Sequence, residues 1–209
     1  MYSLFRKIPI TCRAPPRACW LVGDLPRRTG NFSPEEENIR NRLFYREHSG
    51  DIIVEQNVHS LDVVNWYLGA QPPRAVRWGG RLVRTDIGNI QDHFSVIYAY
   101  PGGIMLAHAA NQFSKGLFGR VIEEFICTNG AIATSRRKVT IYDATEASWT
   151  IEAKVEISVN MLDQFIARIQ SGKVENVGIS AAESTLTGIL GRTAIFENRE
   201  VKWGEVLKG

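Results

Sequence analysis

Residues 94–110, FSVIYAYPGGIMLAHAA, decide the fold class. Two apolar runs rich in aromatic and β-branched residues flank Pro101, Gly102 and Gly103. A turn of that composition closes a hairpin, so the two runs predict adjacent antiparallel strands. The same reading extends outward in both directions. Downstream, residues 121–127 form a strand turned by Asn129 and Gly130, and residues 139–142 and 148–157 continue the sheet. Upstream, residues 75–78 and 81–84 are strand-like, and residues 20–22 make a short strand. The connections are too short for crossover helices, so the sheet is mostly antiparallel.

Helical patterns frame this centre. Ser33-Pro34-Glu35-Glu36 is a helix start: a capping hydroxyl, proline in the first turn, then acids against the positive helix end. That helix is expected to run to about Arg46. Residues 51–68 carry Ile52, Val54, Val58, Leu61, Val64 and Leu68 at helical spacing, and Gly69 stops them. On this helix Trp66 falls on the buried side. Near the end, residues 160–169 present Met161, Leu162, Phe165, Ile166 and Ile169 on one face, with Gly172 as terminator. Ser180-Ala181-Ala182-Glu183 reads as a capping box opening a last helix to about Asn198. Gly188 and Gly191 weaken that helix, which predicts close packing against another element. The fold class is therefore α+β: an open, mostly antiparallel sheet with helices packed on one face. Residues 1–17 form an irregular N-terminal segment broken by Pro9, Pro15 and Pro16, and residues 18–209 form the domain.

The composition excludes several classes. The 209 residues are 44% apolar and 22% charged, ordinary for a globular chain and unlike a disordered one. A net charge of +3 is too weak to argue for nucleic acid. No apolar run is long enough to span a membrane, and the N-terminus lacks a signal-peptide core, so a cytoplasmic protein is expected. Cys12, Cys19 and Cys127 do not make a disulfide framework or a zinc motif; three reduced thiols are expected.

The chemistry concentrates in residues 49–62, SGDIIVEQNVHSLD. Glu55, His59 and Asp62 stand at i, i+4 and i+7, which on one continuous helix share a face. A carboxylate one turn from an imidazole fixes its orientation and tunes its proton affinity, as general acid–base chemistry requires. A solvated ion-pair face has the same spacing. A metal site needs a third ligand, and nothing in the spacing of His93 or His108 supplies one, so no metal is expected. A second polar cluster, Arg84 to Asn89 with Asp92 and His93, surrounds a loop entering a strand. Such a fixed array of donors and acceptors suits a hydroxyl-rich ligand, though a self-bonded hairpin loop would show it too.

Three ordered segments carry a family resemblance. The runs SGDIIVEQNVHSLDVVNWYLGAQPPRAV (49–76), GGRLVRTDIGNIQDHFSVIYAYPGG (79–103) and STLTGILGRTAIFENREVKWGEVL (184–207) resemble the C-terminal domain of Gfo/Idh/MocA oxidoreductases, over roughly residues 18–209. The resemblance implies a glyceraldehyde-3-phosphate-dehydrogenase-like C-terminal domain that supplies the substrate wall, beside an N-terminal Rossmann domain that holds NAD(P). It implies hydride transfer at a sugar or cyclitol hydroxyl. The family's D-x-x-x-H pair maps onto Glu55 and His59, with His59 exchanging the proton and Glu55, one methylene longer than aspartate, positioning it. Asp62, Arg84, Asn89, Asp92 and His93 are the expected substrate contacts. The open sheet implies a homo-oligomer.

The departures shape the expectation equally. No G-x-G-x-x-G occurs in the 209 residues, and no βαβ unit precedes the domain. Arg6-Lys7-Ile8-Pro9 only echoes the family's E-K-P motif. The expectation is a substrate domain without its nucleotide-binding half, binding no NAD(P) alone and inactive alone as a dehydrogenase. Two other readings stay open: a non-enzymatic binding or oligomerisation module, and a relative of NAD-dependent glycosidases.

Overall fold

The computed structural model describes residues 14–114, 119–145, 147–173 and 175–208; the Arg6–Pro9 echo and Cys12 lie outside them. Among the described residues nine strands form one sheet in the order β8-β7-β6-β5-β1-β4-β3-β2-β9. They are β1 (Arg17–Leu21), β2 (Arg74–Gly80), β3 (His93–Ala99), β4 (Met105–Asn111), β5 (Arg120–Cys127), β6 (Gly130–Ser135), β7 (Lys138–Asp143), β8 (Trp149–Glu152) and β9 (Val201–Lys202). Every pairing is antiparallel except β1 with β4. The hairpin that decided the fold class is present, with Gly102 and Gly103 at φ 73° and 77°, backbone angles that glycine adopts without steric cost.

β1 sits in the middle of the sheet, between β4 and β5, and begins at Arg17. The prolines and basic residues around it signal irregular chain, but pairing on both edges overrides local propensity. The carbonyl of Pro16 already accepts the Ala107 N–H. Residues 81–84, expected as a strand, are loop. The N–H groups of Leu82, Val83 and Arg84 go to the Asp92 carboxylate instead of to a neighbouring strand.

The helices are α1 (Pro34–Arg40), α2 (Asp51–Glu55), α3 (Val58–Leu68), α4 (Ile157–Gln170), α5 (Gly178–Glu197) and a short α6 (Trp203–Val206). Ser33 caps α1, its Oγ accepting the Glu36 N–H, and a 3-10 turn over Arg42–Phe44 follows. Alternation along the strands separates the two sheet faces. Phe94, Val96 and Tyr98 of β3, Leu106 of β4 and Phe125 of β5 are buried with Ile52, Ile53, Leu61, Val64 and Leu190 from α2, α3 and α5. On the opposite face Ser95, Met105, Ile126 and Tyr142 are exposed.

α5 lies close to its neighbours, as its glycines require. A Cβ on Gly191 would stand 2.1 Å from the Tyr98 hydroxyl, and one on Gly188 would stand 3.1 Å from a Val54 methyl. The expected capping box is absent: α5 starts at Gly178, and Ser180 donates to the Val177 carbonyl from inside the first turn. Trp66 is 49% exposed, not core; the buried stripe of α3 is Ser60, Leu61, Val64 and Tyr67. α4 stands apart, with every residue exposed. Among the described residues no helix is long and apolar enough to cross a membrane.

Candidate functional site

The continuous helix expected over residues 51–68 is two helices, α2 and α3, with a break at Gln56 and Asn57. Asn57 makes the break. Its Nδ2 donates to the Ile52 carbonyl at 2.9 Å, and its Oδ1 lies 2.9 Å from Nε2 of His108 on β4. An asparagine side chain that takes a backbone carbonyl competes with helix propagation. Since the Asn57 oxygen can only accept, Nε2 of His108 carries the hydrogen and Nδ1 is bare. Burial pushes the His108 pKa down to about 3, so the ring is neutral. Asp51 starts α2 at φ 64°, in the left-handed region, fully buried. Its carboxylate accepts the N–H groups of Ile52 and Gln91 at 2.6 and 3.2 Å. Burial raises its pKa above the usual carboxylate value.

The break separates the residues that the spacing placed on one face. Glu55 ends α2, exposed; its Oε1 accepts the Gly50 N–H at 3.1 Å and lies 3.8 Å from an Arg42 nitrogen. His59 is exposed on the first turn of α3, its ring stacked 6.0 Å from that of Trp20 on β1. Among the described residues no hydrogen bond joins Glu55 to His59. Asp62 faces elsewhere: it accepts the Ser184 hydroxyl at 2.6 Å and lines a groove of about 670 Å³ between α3 and the start of α5.

The second polar cluster is a built network. Asp92 is buried; one carboxylate oxygen accepts the N–H groups of Leu82, Val83 and Arg84 at 2.7–2.9 Å, and the other lies 2.7 Å from His93 Nδ1. Burial pushes its pKa up, but the His93 bond and the three backbone donors outweigh it and hold the group below the usual range. Arg84, also buried, donates to Asp24 at 2.9 Å, to Gln112 at 2.7 Å and to the Gln91 carbonyl at 2.7 Å, over the ring of Phe44. Gln112 donates in turn to Gln56 in the helix break at 2.9 Å. A polar chain thus runs from Asp24 through Arg84 and Gln112 to the break.

Two sequence-expected contacts lie off this chain. Asn89 is exposed and ties its loop to residues 46 and 47, accepting the Arg46 N–H and donating to the Glu47 carboxylate. His93 alternates with buried Phe94, so its ring lies on the open face, edge-on to Phe113. Sequence reasoning missed Asp24, Gln56 and Gln112. Gln56 lay inside the motif, but Asp24 and Gln112 carried no local signal, because their roles arise from the pairing of β1 with β4. It also missed Glu123, a buried carboxylate on β5 that accepts the hydroxyls of Ser60, at 2.6 Å, and of Thr134.

Two cavities adjoin the network. One, about 200 Å³, is lined by Glu55, Gln56, Gln112 and the apolar Leu25, Leu43 and Ile52. The other, about 380 Å³, lies beside Arg84, Asp92 and Phe113. Among the described residues the only parallel pair is β1 with β4, and no strand passes through a glycine-rich turn into a helix N-terminus. Nor do three histidine, cysteine or acidic side chains converge there as a metal site.

No family model and no curated protein sequence matches the chain. Solved structures do match it in fold. The transcriptional regulator Gal80p from Kluyveromyces lactis superposes with a TM-score of 0.70 at 14% identity, over 99% of this chain and 58% of that one. UDP-N-acetylglucosamine 3-dehydrogenase GnnA from Acidithiobacillus ferrooxidans gives 0.67 at 15% identity, over 93% and 57%. An oxidoreductase from Agrobacterium radiobacter, solved with NAD+, L-tartaric acid and magnesium, gives 0.66 at 14% identity, over 91% and 56%. The chain thus spans less than two thirds of each, and the likeness is one of fold.

Proposed function

We propose that this chain, which has the fold of the C-terminal domain of Gfo/Idh/MocA-type oxidoreductases, is the substrate-binding and acid–base part of an oxidoreductase acting on a sugar or cyclitol hydroxyl. The observation that carries this reading is the helix break. A buried pair, Asn57 and His108, is maintained in the core, and its consequence is to leave Glu55 and His59 exposed on either side of the interruption, Glu55 lining a cavity with polar and apolar walls and His59 stacked on Trp20. Oxidising a hydroxyl removes a proton from oxygen and a hydride from carbon. The residues of this chain are proposed for the proton alone. In this reading the His59 imidazole accepts the proton from the substrate oxygen, or returns it in the reverse direction, and Glu55 and Gln56 orient the hydroxyl. Arg84 and Asp92, whose polar atoms are engaged within the protein, hold the cavity wall in place, while Asn89, His93 and Asp62 lie outside the contact set. NAD(P) is proposed to bind a part of the enzyme other than the described residues, and the open face of the sheet to pair subunits.

A non-enzymatic reading has an observation of its own. The Glu55 carboxylate bonds to Gly50 and not to His59, and one fold neighbour is described as a transcriptional regulator. Titration of the purified chain with glucose and myo-inositol, followed by the His59 ring signals in NMR, separates the two. The proposal expects saturable shifts at His59 that vanish in His59→Ala, and no NADH binding by fluorescence. Ligand binding indifferent to His59→Ala would favour the binding module. Saturable NADH binding would overturn the division of labour.

A further inference from the structure

The cavity beside Glu55 is small. At about 200 Å³ it falls below the roughly 300–1,000 Å³ of most small-molecule sites, and three of its walls are apolar. The Gln112 amide separates it from the second cavity of about 380 Å³. That amide is held on both sides, accepting from Arg84 and donating to Gln56. The two spaces are therefore consecutive compartments with one rigid shared wall.

The second compartment has a definite chemistry. Arg27 and Arg84 both line it, and both are already paired. Arg27 bonds Asp86 and, at 3.1 Å, Asp24; Arg84 bonds the other oxygen of Asp24 at 2.9 Å. With Asp92 the lining holds two guanidinium groups against three carboxylates, so no uncompensated positive charge awaits a phosphate or a carboxylate. Phe113 and Val83, 38% and 59% exposed, supply an apolar wall to the same space. Charge-balanced polar groups beside the apolar patch of Phe113 and Val83 match a pyranose: hydroxyls around its rim, C–H groups on its faces. The wall is also preorganised, since Asp92 clamps the backbone of residues 82–84 and Arg84 lies over Phe44.

Building on the reading above, we infer that the second compartment binds a second, uncharged sugar unit, so that the substrate is a neutral glycoside of at least two rings and not a free or phosphorylated monosaccharide. The test is calorimetric titration of the full chain with glucose, maltose, cellobiose and glucose 6-phosphate. At least one disaccharide should bind about tenfold more tightly than glucose. Phe113→Ala should remove roughly three- to tenfold of that gain while leaving glucose affinity unchanged. Val83→Ser probes the same wall from an exposed position should Phe113→Ala fail to fold. His59→Ala should weaken both ligands. Equal affinity for glucose and both disaccharides overturns the inference alone, as does tighter binding of glucose 6-phosphate. Absence of binding by glucose and the disaccharides alike overturns the reading beneath it as well.

Discussion

The last two long helices of the chain, α4 and α5, are separated by seven residues and have opposite fates. α4 gathers Met161, Leu162, Phe165, Ile166 and Ile169 into one stripe, yet all five are at least 50% exposed. α5 has no comparable stripe and reads Gly-Ile-Ser-Ala-Ala-Glu-Ser-Thr-Leu-Thr-Gly-Ile-Leu-Gly, yet it buries Ser184, Thr187, Gly188, Leu190, Gly191 and Ala194. An apolar stripe reports that a helix can bury a face, not that the same chain supplies the cover. Small residues report proximity, because they are tolerated mid-helix only where something occupies the space a side chain would fill. Asp62 to Ser184 and Asn65 to Thr187 then close the α3–α5 contact with side-chain hydrogen bonds that larger residues would hold apart.

The sharpest way to break this contrast is to cut into the α5 contact. Leu190 is fully buried among residues of α2, α3 and the sheet. Leu190→Ala should cost about 3–4 kcal/mol in urea unfolding, the transfer loss plus an unrelaxed cavity. A cost below about 1 kcal/mol would mean that α5 is no more tightly held than α4, and the distinction would collapse.

How much of this was readable beforehand depends on whether the cause was local. The hairpin at 94–110, the stop at Gly69 and the Ser33 cap are decided within a few residues, and they stand where the sequence placed them. Gly188 and Gly191 forecast a close contact but not its partner. The break at Asn57 could not be read, since an interrupted and a continuous helix share the pattern of Ile52, Val58 and Leu61. The asparagine that interrupts it is held by a histidine 51 residues away on β4. The loop at 81–84 failed for the same reason: its strand-like pattern is genuine, but Asp92 collects the N–H groups that a neighbouring strand would have taken. Gln112 and Asp24 become site residues only because β1 enters the sheet beside β4, a pairing with no short-range signature. The Glu55–His59 motif was found as a motif, while its geometry depended on the break.

The packed region also differs from α4 in holding a titratable group that cannot take its charge. The folded pKa of His108 is about 3, against about 6.5 in an unfolded chain. As the pH falls below 6.5 the unfolded chain takes up a proton that the folded chain refuses, so stability is lost from pH 6.5 down to about 3 and is fully present above 6.5. By pH 5 the loss from this group should be about 2 kcal/mol. Glutamine donates to Asn57 without titrating, so in His108→Gln the unfolding free energy should fall less steeply between pH 7 and 5. Parallel pH profiles for the two proteins would show that the ring is hydrated and that the packed side is looser than its burial implies.

The smallest expected effect tests the other member of the pair. Phe165 is the largest side chain on the α4 stripe and is 59% exposed. Phe165→Ala should change the unfolding free energy of the dilute chain by no more than about 0.5 kcal/mol, the usual range for surface positions. The amide protons of α4 should then exchange faster than those of α5 at neutral pH, since a short helix without tertiary cover is marginal in water. A null result at low protein concentration with a clear loss at high concentration would place the cover on a second molecule. A loss above 1 kcal/mol at every concentration would place it on the body of the same chain, and the stripe would then be an ordinary packing face after all.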